Sequence, residues 1–168
     1  MSEAVEQEVA VLHTNLGDIV LKFHPKKAPG HVENFKKLVR EGFYDGTKFH
    51  RVIPGFMIQG GDPNTKTGER HTHGTGGPGY QIKAEFNDTK HVKGILSAAR
   101  SSDPNSAGSQ FFLMVARSPH LDGQYTAYGE VVEGIEVVDK IVALPRDRGD
   151  NPLPANPAVI ETAVIETR

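Results

Sequence analysis

Short blocks of apolar and polar residues succeed one another along the chain. Glu8 to Thr14 reads as a strand, Asn15-Leu16-Gly17-Asp18 as a turn, and Ile19 to Phe23 as the returning strand of a hairpin. The period then lengthens. Val32, Phe35, Leu38 and Val39 recur at helical spacing, Glu33, Lys36, Lys37 and Arg40 fall on the other side, and Gly42 ends the helix. Asp45-Gly46 is a tight turn. Phe49 to Ile53 and Met57 to Gly60 are predicted strands joined at Pro54-Gly55. Residues 61–80 are polar and glycine-rich, which predicts a long surface loop. Tyr80 to Phe86, Gly94 to Ala99 and Gln110 to Val115 are predicted as further strands, with a turn-rich link from Ser101 to Gly108. A second helix is expected over Glu133 to Leu144, with Ile135, Val138, Ile141 and Val142 as its inner stripe. A loop with four prolines follows, and Ala158 to Thr167 is the last strand.

Many short strands, two separated helices and no βαβ rhythm predict an antiparallel β-barrel or sandwich with helical caps. With 168 residues, a single domain over 8–168 is expected, preceded by a short tail at 1–7. Hydrophobic residues at 37% and charged residues at 24% exclude a disordered chain. Nineteen basic against 21 acidic side chains leave a net charge of -2, without the basic excess of a nucleic-acid binder. No apolar run reaches the roughly 18 residues of a membrane span. The first residues are acidic and lack the apolar stretch of a secretory signal, so a cytoplasmic protein is expected. The absence of Cys removes disulfides, thiolate metal sites and Cys nucleophiles together.

Three motifs have duller readings that fit better. Gly74-Thr75-Gly76-Gly77-Pro78-Gly79 has the spacing of a dinucleotide loop, but Pro78 interrupts it and no helix follows. His71 and His73 offer two imidazoles, but no Asp or Glu stands at ligand spacing on a defined element. Arg148-Gly149-Asp150 is an adhesion tripeptide without an export signal. The G-x-S-x-G, H-E-x-x-H and phosphate-loop signatures are missing. An enzyme built from this chain is expected to need neither a covalent intermediate, a metal nor a cofactor.

Two stretches carry the chemistry. In Phe49 to Asp62, a three-residue loop Pro54-Gly55-Phe56 sets Arg51 across from Gln59 and turns Val52 and Ile58 to the core. A two-residue turn would oppose Arg51 to Ile58; the first register pairs polar with polar and is preferred. It predicts a surface with an Arg held by a Gln, beside an exposed Met57 and Phe56. In Gly108 to Val115, Phe111, Leu113 and Val115 share the inner face, and Gln110, Phe112 and Met114 share the other. Phe on both faces calls for burial on both sides or for a ligand on one.

These stretches together resemble the cyclophilins, the cyclosporin-binding class of peptidyl-prolyl cis/trans isomerases. Asn34-Phe35, Gly77-Pro78-Gly79-Tyr80, Glu85-Phe86, Leu121-Asp122-Gly123 and Tyr128-Gly129 add matches in collinear order from about Val9 to Ile165. The resemblance implies an eight-stranded antiparallel β-barrel capped by two α-helices. It implies Arg51 as the catalytic residue, Phe56, Met57, Phe112 and Leu121 as walls of a proline pocket, and Gln59 as a brace for Arg51. Ala99, Arg100 and Gln110 would line the groove for the peptide backbone. His120, Tyr125 and Arg100 stand where the best-known eukaryotic members carry Trp, His and Asn, a bacterial-type pattern. Without the Trp indole donor, cyclosporin binding is expected to be weakened. Proline-containing peptides and folding clients are the expected partners, with no nucleic acid and no membrane, and a monomer is expected. The rival reading is a proline-peptide binding module or chaperone without turnover, but members of that kind have typically lost the Arg.

Overall fold

The structure, a computed structural model, describes residues 7–67 and 69–168. Eight strands form one antiparallel sheet: β1 (Glu8–Thr14), β2 (Gly17–Phe23), β3 (Arg51–Ile53), β4 (Met57–Gly60), β5 (Ile95–Ala98), β6 (Phe111–Met114), β7 (Ala127–Glu133) and β8 (Ile160–Thr167). Their order is β3-β4-β6-β5-β7-β2-β1-β8. The sheet curls until its ends meet. Lys48 bridges Val159, the Phe49 N–H donates to the Ala158 carbonyl at 3.0 Å, and the Ile160 N–H donates to that of Thr47 at 2.8 Å. Closure leaves few open strand edges and decides for a barrel over a sandwich.

Local chemistry sets the elements. Thr14 pairs with Gly17 across a two-residue turn, so β2 starts two residues before Ile19. Helix α1 (Pro29–Arg40) buries Val32, Phe35, Leu38 and Val39, the predicted stripe. Its cap residue, Ala28, has no side-chain acceptor. The Glu85 carboxylate, more than fifty residues away, accepts from the N–H groups of Gly30 (3.0 Å) and His31 (2.7 Å) instead. At the other end Gly42 is left-handed (φ 73°), and the N–H of Phe43 reaches back to Leu38. Helix α2 (Ile135–Val142) is shorter at both ends than its pattern predicts. Gly134 before it has φ 88°, and a Cβ there would lie 2.1 Å from the Asp18 carbonyl, so only glycine fits.

The structure corrects two expectations. The first concerns Tyr80 to Phe86, which alternates well but is not a strand. Only Ile82 pairs, in an isolated bridge with Ala107. Side chains take the neighbouring backbone donors: Asn105 accepts from Ala84 N–H and Thr126 from Glu85 N–H. The eighth strand is β7, which the sequence reading passed over. It lies between β5 and β2 and buries Ala127, Tyr128 and Gly129. The predicted tail at 1–7 falls outside the described residues except for Gln7. That residue is not free, because its N–H and carbonyl both bond Arg168.

The main core lies between the barrel and α1. Phe35 is its hub, with ring centroids 5.0 Å from Tyr44, 5.4 Å from Phe111 and 5.9 Å from Tyr128. Strand β6 separates this core from a second cluster. Phe111 and Leu113 face the first, and Phe112 and Met114 face the second together with Met57 and Leu121. Phe on both faces of one strand is thus explained by burial on one side and a surface hollow on the other.

Candidate active site

One row of side chains crosses four strands. Arg51 on β3 stands opposite Gln59 on β4, Gln59 opposite Phe112 on β6, and Phe112 opposite Ser97 on β5. The β3–β4 loop is the three-residue Pro54-Gly55-Phe56, closed by the Ile53–Met57 pair, with Gly55 at φ 76°. Had the turn held two residues, every side chain of β3 would shift by one position relative to β4.

Beside this row lies a hollow of about 120 Å³, lined by Arg51, Phe56, Met57, Gln59, Ala99, Arg100, Phe112, Leu121 and Tyr125. Every one of these belongs to the set expected from the sequence. Met57, expected to be exposed, is 2% exposed and sits in the cluster beneath the hollow. Leu121 arrives on a 3₁₀ turn, Pro119–Leu121. The Tyr125 ring meets Phe112 edge-on at 5.7 Å. His120 lies beside Phe56, ring centroids 6.1 Å apart, outside the hollow itself.

Polar residues extend the site. Gln59 Nε2 donates to Gln110 Oε1 at 2.9 Å, and Gln110 Nε2 donates to the carbonyls of Gly74 (3.0 Å) and Gly76 (2.9 Å). The glycine-rich segment is therefore one wall of a second hollow of about 680 Å³, which shares Gln59, Ala99 and Arg100 with the first. A Cβ on Gly76 would come within 2.2 Å of an Asp62 carboxylate oxygen, so the glycine lets the loop close over buried Asp62. No helix follows Gly79, and the dinucleotide reading has no phosphate seat.

Arg100 is held in place. Its Nε and Nη2 donate to the Gln124 carbonyl at 3.1 and 2.8 Å, Nη1 donates to that of Ser101 at 2.9 Å, and the guanidinium lies 4.4 Å from the Tyr125 ring centroid. His71 and His73 do not converge: His71 stands near Glu69, and His73 bonds Asn151. Among the described residues, no three His, Asp or Glu side chains gather as metal ligands. His50, next to Arg51, is buried, and burial pulls its imidazole down to about 4, with Arg51 and His73 acting the same way and Asp62 opposing.

The sequence reading missed the group behind Phe112. His91 is 1% exposed, and its ring lies nearly parallel to that of Phe112. Its signal, a lone His in a polar link, resembles any surface histidine.

A closed antiparallel barrel thus sets a guanidinium beside an apolar hollow at its surface. The sequence matches the cyclophilin-type peptidyl-prolyl cis-trans isomerase family over residues 9–164, and the chain belongs to that family. It is 45% identical to a probable peptidyl-prolyl cis-trans isomerase of Brucella abortus, across 98% of this chain and 86% of that protein. Identity is 50% to a peptidyl-prolyl cis-trans isomerase of Synechococcus elongatus, across 77% and 85%. A Cryptosporidium parvum cyclophilin solved in the presence of the dipeptide Ala-Pro superposes with a TM-score of 0.86 at 32% identity, covering 95% of this chain and 99% of that one.

Proposed function

We propose that the chain accelerates cis/trans rotation about Xaa-Pro bonds in flexible or unfolded proteins, with Arg51 as the catalytic residue. One observation carries this reading: Arg51 borders the same hollow as Phe56, Met57, Phe112 and Leu121. An Xaa-Pro bond prefers trans by only about 0.5–1 kcal/mol, but its rotation barrier is about 18–20 kcal/mol, set by amide resonance. In the twisted transition state the proline nitrogen is pyramidal and carries a localised lone pair. A donor aimed at that nitrogen favours the transition state over the planar ground state, and only such differential binding raises the rate. The Arg51 guanidinium presents a rigid fork of donors.

The apolar hollow holds the pyrrolidine ring, so rotation is carried by the acyl side. It also excludes the water that favours the more polar planar amide. A charge-assisted bond contributes about 1.5–3 kcal/mol, so the slot and the backbone groove supply the rest of any large acceleration. Speeding this rotation assists the slow folding steps of client chains. Cyclosporin binds weakly, because His120 presents no indole donor. A binding module without turnover is less well supported, since Arg51 is present.

NMR exchange spectroscopy on a short Xaa-Pro peptide tests the reading. Faster cis/trans exchange in the presence of catalytic amounts of protein is expected. Shifted peptide resonances without faster exchange would leave only a binding module.

A further inference from the structure

His91 takes no part in the scheme above, yet it is one of the most completely enclosed polar groups in the molecule. Its side chain is 0% exposed. Nδ1 lies 3.1 Å from Asp122 Oδ1, and Nε2 lies 2.9 Å from Ser97 Oγ. Its backbone N–H also donates to Asp122 Oδ1 at 2.7 Å, and its carbonyl accepts from the Ser118 N–H at 2.9 Å. Burial pushes its pKa below the ordinary value against the opposing pull of Asp122. The carboxylate can only accept, so Nδ1 carries a proton that points at Asp122. On the other side Ser97 Oγ lies within hydrogen-bond distance of both Nε2 and the Thr126 carbonyl, the latter at 3.1 Å.

The arrangement has the order of a hydrolytic Ser-His-Asp triad, but Ser97 is 0% exposed and no acyl group can reach it. What the chain of bonds does reach is the hollow. The His91 ring lies 24° from parallel to Phe112, with centroids 6.2 Å apart, while Tyr125 meets the same Phe112 edge-on. Phe112 stands opposite Ser97 in the strand register. Asp122 follows Leu121 directly, and Ser118 precedes the 3₁₀ turn that carries Leu121. Through three hydrogen bonds His91 therefore fastens both ends of that turn, and through its ring it backs Phe112.

We propose that His91 is a positioning residue for the isomerase site: it fixes Phe112 and Leu121, two apolar walls of the proline slot, by bonding Asp122, Ser97 and Ser118. This rests on reading the hollow as that slot. The pyrrolidine ring stays in place while the acyl side turns, so contacts with the walls are the same in ground and transition states. Loosening the walls removes uniform binding, which raises KM and spares kcat. The effect differs in kind from losing a donor to the imide nitrogen.

Two variants and one rescue test this on the full chain with an Xaa-Pro tetrapeptide. His91→Phe keeps an aromatic plate and the backbone bonds to Asp122 and Ser118 but loses both imidazole bonds, and Asp122→Ala cuts the latch from a more exposed position. Each is expected to raise KM about tenfold, with kcat within about twofold of the parent. Asp122→Asn keeps an acceptor oxygen and is expected to restore a KM close to that of the parent. NMR of the Phe112 ring and Leu121 methyl groups is expected to shift in the first two and not in the third. A folded His91→Phe or Asp122→Ala protein with unchanged KM overturns the proposal, as does a loss of kcat alone. Should the parent neither bind nor turn over proline peptides, the slot reading fails; unmoved Phe112 and Leu121 resonances would then overturn the positioning separately.

Discussion

Arg51 and Gln59 stand directly opposite one another on β3 and β4, but the contact between their side chains is 3.5 Å long, at the outer limit of a hydrogen bond. Gln59 is fastened more firmly behind, to Gln110 at 2.9 Å. The guanidinium is thus guided but not consumed, and most of its donors have no partner among the described residues. Such contacts commonly tighten only when the reacting groups are bound.

The glutamines form one relay from the Gly74–Gly76 loop to Arg51. Gln59→Leu is expected to lower kcat/KM about tenfold, within the range for losing a bond to a charged group. Gln110→Leu is expected to have a similar effect, and the double variant to be little worse than either alone, because both cut the same chain. A double-mutant cycle on a tetrapeptide substrate checks this. Full additivity would show that the two residues act independently.

Arg100 suggests a substrate preference. The residues lining the two hollows include two arginines and no acid. Its bonds to Gln124 and Ser101 occupy only part of the guanidinium, and N–H groups remain for the groove. Peptides with Glu beside the proline are expected to give kcat/KM about fivefold above those with Lys, falling as salt is added. Arg100→Gln is expected to erase the difference. Equal rates for both peptides in the parent protein would contradict it.

His50 gives the fold a pH dependence with a definite sign. Burial lowers its folded-state value from 6.5 to about 4. The unfolded chain binds the proton more readily between those values, so stability is full above pH 6.5 and falls as pH drops towards about 4. The loss is about 3 kcal/mol at about 1.4 kcal/mol per unit. Urea midpoints measured from pH 7 to 4 are expected to fall less steeply for His50→Gln than for the parent. Parallel curves would show that the imidazole does not carry the effect.

Much of this was legible in the residues, for a physical reason. Period and turn chemistry mark elements whose own side chains decide the pairing, as in Glu8–Phe23, the stripe of α1 and the Arg51–Gln59 register. Misreadings arose where distant groups decide. Tyr80–Phe86 alternates like a strand, but Asn105 and Thr126 satisfy its backbone. Strand β7 contains Gly129, whose missing side chain weakens the local signal, and a Cβ there would approach the Lys22 carbonyl to 2.5 Å. The buried bonds of His91 join residues 91, 97, 118 and 122, and no local spacing announces them. Glu85 capping α1 is equally remote in sequence.

The central claim is that Arg51 acts on the transition state and not on binding. Arg51→Ala, followed by NMR exchange spectroscopy and peptide titration on the same sample, separates the two. The account predicts catalysed exchange about 10- to 100-fold slower, with peptide affinity within about threefold of the parent. Exchange as fast as in the parent, at saturating peptide, would contradict it.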